Sequence, residues 1–374
     1  MDPITTEKHS AVAVIRPRAS LRIIEVDTVA PSDGEILIRV EWTASTPLNL
    51  HNADGGLLIT PPYIMSGDFA GTVVAVGDLS SSNLSQATCN LKVGDQVFGF
   101  AYAKQEHRPQ QEYITIPAYL CSKLPKGLKP QEAVTVPSNF VTAMHTITTD
   151  LGLALPWPRP KDWTPKESQR NAPILVWGAG SSVGHYSLQV LKFWGYRRVI
   201  AVASARHHSR LRRLGASVLF DYGQVDVIAQ IKERYEHIPY FIDCIGSVQG
   251  TLTPLSKIAG SGSVVAVMLP VIVAHASAAE APEYEMDVSK VLAGQWQQGV
   301  ELRGVRTHFY TQNDLFKYHL QPEIMPELLA QGSIEVNKQR LVEGESLLVR
   351  AEKALGLLRE GQVRGEKLIW RVAE

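Results

Sequence analysis

The chain has 374 residues, which suits two domains of roughly 100–200 residues each better than a single core. Hydrophobic residues make up 45% and charged residues 20%, a balance that excludes a disordered or membrane-embedded class. Lys+Arg and Asp+Glu are equal at 37 each, so no global field draws the chain to nucleic acid or anionic lipid, and any anion site has to be built locally.

The first residues, MDPITTEKHSAVAV, carry acids and lack a basic start followed by an apolar core, so the expected compartment is the cytoplasm. From Ser10 to about Pro137 the pattern is β-rich. AVAVI, LRIIEV, EILIRVEW, GTVVAVG and QVFGFAY alternate or run apolar and are broken by Pro-Ser-Asp-Gly and Val-Gly-Asp turns, which predicts a partly open barrel. Within it, Leu79 to Lys92 is polar and Ser/Asn-rich and reads as a surface loop.

Residues 151–173, LGLALPWPRPKDWTPKESQRNAP, hold too many prolines for a long regular element and form an insert whose Trp157 and Trp163 need apolar cover. The rhythm then changes. ILVWG, VIAVAS, SVLFDY, YFIDCIG and SVVAVM are continuous apolar runs separated by helical segments, as strands buried on both faces of a parallel sheet require. The tail reads as a helix, ESLLVRAEKALGLLREGQ, and a strand, GEKLIWRV, whose sheet the spacing does not identify. The fold class is α/β: a barrel-like domain plus a doubly wound parallel sheet. No run approaches the roughly 18 apolar residues of a membrane helix.

The loop after the first buried strand is Gly178-Ala179-Gly180-Ser181-Ser182-Val183-Gly184, an imperfect G-x-G-x-x-G in the right context: it follows a strand, opens a helix and begins a βαβ series. Small residues there let the backbone approach a pyrophosphate, and the helix start offers free N–H groups. At the end of the second strand, Ala203-Ser204-Ala205-Arg206-His207-His208-Ser209-Arg210 contains no acid. A ribose 2′-OH calls for Asp or Glu there, whereas a 2′-phosphate calls for cations, so the expected cofactor is NADPH. Metal is not expected. Cys89, Cys121 and Cys244 are widely spread, no Cys-x-x-Cys exists, and no triple of ligands is suggested by spacing.

Gly67-Asp68-Phe69-Ala70-Gly71-Thr72-Val73-Val74-Ala75-Val76-Gly77, with Val93-Gly94-Asp95-Gln96-Val97, closely resembles the signature of zinc-independent quinone oxidoreductases of the medium-chain dehydrogenase/reductase superfamily. Asp68 stands where the zinc enzymes have the His of Gly-His-Glu, Thr46 where they have their first zinc cysteine, and Asn139 near the third ligand. LPKGLKPQEAVTVPSNFVTAMHTI, LRRLGASVLFDY, YFIDCIGS and LREGQVRGEKLIWRV are similar to the fungal trans-acting enoyl reductases that serve polyketide synthases.

This resemblance implies a GroES-like catalytic domain from residues 1–137 and 311–374, and a Rossmann domain from residues 138–310, with NADPH in the cleft. It implies that Gly180, Ser181, Ser182 and Val183 line the pyrophosphate and that Ser204, Arg206, His207 and Tyr222 surround the 2′-phosphate. Ile245 and Gly246 are implied along the adenosine, Thr142 and Leu269 at the nicotinamide end, and Gly365 and Lys367 over the nicotinamide. The family's Asn-Pro-x-Asp is here Thr46-Pro47-Leu48-Asn49, and the enoyl reductase lysine is His51. His51, Thr142 and Asn49 are thus the candidates for holding the substrate oxygen or supplying a proton.

The implied reaction is hydride delivery to the β-carbon of an enoyl thioester or enone, acyl-carrier-bound or free, with a polyketide synthase as partner. Two other readings stay open: an NADPH:quinone oxidoreductase, and an NADPH-binding protein that acts as a redox sensor or non-catalytic partner. Monomer and homodimer both remain open.

Overall fold

The computed structural model describes residues 7–81, 83–276 and 280–373. It contains two compact units, one built from residues up to 138, residues 280–281 and residues from 308 onward, the other from residues 139–276 and 282–307.

The first unit is organised around the strand Glu35–Ala44, whose alternating Ile36, Ile38 and Val40 are buried. One edge of this strand pairs antiparallel with Gly67–Val76, and the other is shared by Tyr113–Pro117 and the terminal strand Lys367–Arg371. The last of these contacts joins the two ends of the chain in one sheet, with Ile369, Trp370 and Arg371 opposite Ala44, Thr43 and Trp42. The sheet continues through Gln96–Ala101 to Cys121–Lys123 on one side and, beyond the terminal strand, to Gln339–Leu341, which pairs parallel with it on the other; a three-stranded sheet of Arg22–Asp27, Lys8–Val14 and Tyr63–Ile64 completes the unit's β-structure among the described residues. Irregularities at Leu37/Ile38 and Val40/Trp42 kink the central strand, as the curvature of a barrel requires. The polar stretch from Leu79 to Lys92 is not loop throughout. Gln86–Cys89 forms a helical turn capped by the Ser85 hydroxyl, which accepts from the Thr88 N–H, while Leu79 and Leu91 are buried.

The second unit is a six-stranded sheet ordered Val218–Phe220, Val199–Val202, Ile174–Trp177, Tyr240–Asp243, Val264–Met268, Glu301–Val305, parallel throughout. This is the order of a doubly wound dinucleotide-binding sheet, with its switch point beside Ile174–Trp177. The three strands at that point are buried almost throughout, as strands covered on both faces are, which explains why they read as continuous apolar runs. The Pro-rich insert lies against the end of the helix Ser182–Phe193. Trp157 packs on Trp194 with ring centroids 6.5 Å apart, the Trp194 indole donates to the Pro156 carbonyl, and Arg159 donates to the Phe193 carbonyl. Among the described residues, no helix is long and apolar enough to cross a membrane.

Candidate functional site

In the second unit, the turn after Ile174–Trp177 gathers the features of a nucleotide cradle. Gly178 adopts φ +75°, a conformation that favours glycine, and a Cβ there would also meet the Ile245 side chain at 2.6 Å. Ser181 caps the helix Ser182–Phe193, its hydroxyl accepting from the Gly184 N–H at 3.1 Å. The N–H groups of Ser182 and Val183 lie in the first turn, outside the helical ladder, on half-buried residues. Gly184 is needed for packing: a Cβ there would stand 2.6 Å from Ala179 Cα and 2.7 Å from the Ala179 carbonyl oxygen.

The segment after the second strand brings His207 to this turn. A Cβ on Gly180 would stand 3.1 Å from the His207 ring, so the absence of a side chain is what admits the imidazole. Arg206 is exposed and its Nε donates to His207 Nε2 at 3.1 Å, leaving that nitrogen unprotonated. Burial, and then the neighbouring Arg206, Arg210 and His208, hold the His207 pKa below its ordinary value. Ser204 accepts from the His207 N–H and begins the turn. Tyr222, at the end of the third strand, is 52% exposed.

Ile245 and Gly246 are set by Asp243, whose carboxylate accepts from both of their N–H groups and from the Thr251 hydroxyl. Burial raises the Asp243 pKa to about 6 against those hydrogen bonds. Gly246, at φ +68°, leaves no room for a Cβ, which would lie 2.2 Å from the Met268 carbonyl oxygen. Leu269 follows the fifth strand and is half-buried. Thr142, on the helix Pro137–His145, bonds the Thr307 hydroxyl at 3.0 Å.

In the first unit, the helix Pro47–Gly55 carries two of the three catalytic candidates. Asn49 is 1% exposed and already committed: its Oδ1 accepts from the Thr46 N–H and its amide donates to the Ser66 carbonyl. It therefore fixes the helix start and the neighbouring strand. His51 is half-buried on the same helix. Gly365, at φ +72°, turns the chain into the terminal strand.

Lys367 is 3% exposed, and its ammonium is bonded to Asp68, which is wholly buried. The Asp68 carboxylate also accepts from the Ser138 N–H at 2.6 Å and the Ser138 hydroxyl at 2.8 Å. A carboxylate so occupied, with a cation as its neighbour, does not fit a zinc ligand.

One cavity of about 210 Å3 opens in the first unit, and no residue lining it is among the sequence candidates. Its walls include Asn52, Tyr63, Tyr102, Arg108 and His308. Burial lowers the His308 pKa, so the imidazole is neutral at physiological pH. Arg108 sits in KQEHRPQQEY, a segment with no periodicity or motif to mark it.

The class this architecture defines is the two-domain dehydrogenase and reductase scaffold, a GroES-like domain joined to a Rossmann sheet. The family model "Alcohol dehydrogenase GroES-like domain" matches residues 32–146, and "Zinc-binding dehydrogenase" matches residues 182–298. The chain thus carries both of these dehydrogenase domains. It is 31% identical over 247 residues to the uncharacterized protein YCR102C of Saccharomyces cerevisiae, covering 61% of this chain and 63% of that one. The trans-enoyl reductase himH of Aspergillus japonicus is 28% identical over 378 residues, covering 96% of this chain and 97% of its own. The match spans 62–66% of the length of three yeast relatives. Among solved structures, the CurK enoyl reductase superposes with a TM-score of 0.72 at 15% identity, covering 98% of this chain and 99% of that one.

Proposed function

We propose that the chain is an NADPH-dependent reductase of activated carbon–carbon double bonds, acting on an enoyl thioester or enone in fungal secondary metabolism. The observation that carries the cofactor assignment is the acid-free turn that brings His207 against Gly180, with Arg206 bonded to the imidazole. Two donors beside a side-chain-free backbone suit a 2′-phosphate dianion and would leave a sugar diol without an acceptor. The enoyl reading draws on the near full-length likeness to himH.

When bound, NADPH supplies the hydride that the β-carbon of a carbonyl-polarised double bond accepts. The chain's own residues bind and orient. The N–H groups of Ser182 and Val183, with Gly180 and Ser181, hold the pyrophosphate; Ser204, Arg206, His207 and Tyr222 hold the 2′-phosphate; Ile245 and Gly246 flank the adenosine. Thr142, Leu269 and the Gly365 turn address the nicotinamide. His51 holds the substrate oxygen or returns the proton, with Asn49 fixing the helix on which it stands. Lys367 contributes through Asp68: its ammonium fills the carboxylate at the position where zinc relatives place a histidine, which supports chemistry without a metal. A polyketide synthase is the proposed partner, and an acyl-carrier-bound chain the proposed form of substrate.

The test is turnover of a crotonyl thioester and of a naphthoquinone with NADPH and with NADH. Reduction of the thioester by NADPH in preference to NADH is expected. Quinone turnover alone favours a quinone oxidoreductase, and tight NADPH binding without turnover favours a non-catalytic partner or sensor.

A further inference from the structure

The 210 Å3 cavity of the first unit has room for roughly seven water-sized groups, the scale of a short acyl chain with a polar end. Leu48 and Leu58 give it apolar wall, and among the described residues that line it Arg108 alone carries a full charge.

That guanidinium is positioned on three sides. It lies over the Tyr63 ring at 4.0 Å, its Nε donates to the Tyr102 carbonyl at 3.2 Å, and one Nη2 proton reaches the Ala103 carbonyl at 3.5 Å. Of its five N–H groups, about three remain for a ligand. Among the described residues, no carboxylate lies within 4.0 Å of it, and Glu106, the nearest acid along the chain, is paired with Lys104 at 3.6 Å. Burial pulls the Arg108 pKa below its ordinary value, outweighing the opposing pull of Tyr63 and Glu106. A planar fork held by stacking and backbone bonds, facing a mostly apolar cavity, is the arrangement that takes a carboxylate in bidentate fashion.

We infer that this cavity is a specificity pocket in which Arg108 binds a carboxylate carried at the far end of a short acyl substrate. The inference rests on the reductase reading, and supplies what that reading lacks, the chemical class of the acyl group. A neutral chain fills the cavity but leaves the guanidinium unpaired; a carboxylate pairs it.

The experiment compares the N-acetylcysteamine thioesters of crotonate and glutaconate with NADPH, in the native protein and in Arg108→Met and Arg108→Lys. In the native protein kcat/KM for the glutaconyl thioester exceeds that for the crotonyl thioester at least 10-fold, carried by KM. In Arg108→Met this ratio falls about 10-fold or more, and Arg108→Lys recovers part of it, since an ammonium restores charge without the fork. A native ratio at or below one, or a ratio unmoved by Arg108→Met, overturns the proposal. A second arm needs no turnover: calorimetric titration of the NADPH-loaded protein with glutarate, where binding in the native protein and its loss in Arg108→Met are expected. If neither thioester is reduced but glutarate binds through Arg108, the reductase reading fails and the pocket stands. If crotonyl thioester is reduced and glutarate does not bind, the pocket fails and the reductase stands.

Discussion

Removing the ammonium of Lys367 tests the buried ion pair that joins the two ends of the chain. In Lys367→Met the stem keeps its volume, but Asp68, wholly buried, loses its only cationic partner among the described residues and retains the N–H and hydroxyl of Ser138. Breaking a buried pair from one side costs about 3–5 kcal/mol, and the two surviving hydrogen bonds place this case near the lower figure, about 3 kcal/mol. For a folding unit of this size each kcal/mol moves the thermal midpoint by about 2–4 °C, so a fall of roughly 6–12 °C is expected by circular dichroism. The double variant Asp68→Asn/Lys367→Met removes the stranded charge and is expected to recover at least half of that loss. A single variant within about 1 kcal/mol of the native protein, or a double variant no better than the single, would refute the reasoning.

Further predictions concern the nucleotide cradle and a buried acid. Arg206→Ala/His207→Ala is expected to weaken NADPH binding about 10- to 100-fold in a fluorescence titration, while NADH affinity stays within about twofold. Because His207 titrates below its ordinary value in the free protein and a phosphate dianion would raise it, binding takes up a proton. The NADPH-to-NADH affinity ratio should therefore climb as pH falls from about 8 toward 6.5, by at most tenfold per pH unit, and His207→Asn should flatten the climb. Gly184→Ala pushes a methyl to 2.6 Å from the Ala179 backbone and should cost about 1–3 kcal/mol in urea unfolding, with loss of NADPH binding. Asp150 has its pKa raised by burial to about 7, and its Oδ2 lacks a hydrogen-bond partner. A carboxyl raised above its unfolded value lowers stability as pH rises from about 4 to 7, so Asp150→Asn should stabilise the protein by up to about 4 kcal/mol at pH 8 and leave it unchanged near pH 4.

How much of the site the amino-acid order discloses depends on how local each feature is. The parallel sheet, the glycine turn and the acid-free segment from Ala203 to Arg210 are contiguous, and their physics is that of neighbours: alternation, backbone freedom, charge beside a helix start. Asn49 shows the limit of that logic. Its place near a catalytic motif marked it as a candidate, but only the fold reveals that its amide is spent on Thr46 and Ser66.

Contacts between distant segments were decided by the tertiary structure alone. Lys367 and Asp68 are 299 positions apart, and neither run of residues announces the other. The strand GEKLIWRV has the pattern to pair with any sheet; which one takes it follows from the free edge that Glu35–Ala44 offers beside Tyr113–Pro117. The cavity likewise draws Leu48, Tyr63, Arg108 and His308 from separate parts of the chain, through a barrel that closes only when sequence-distant strands meet. Period and composition determine what each element is, because they act over a few residues; which side chains share a cavity is fixed by packing, which acts across the whole unit.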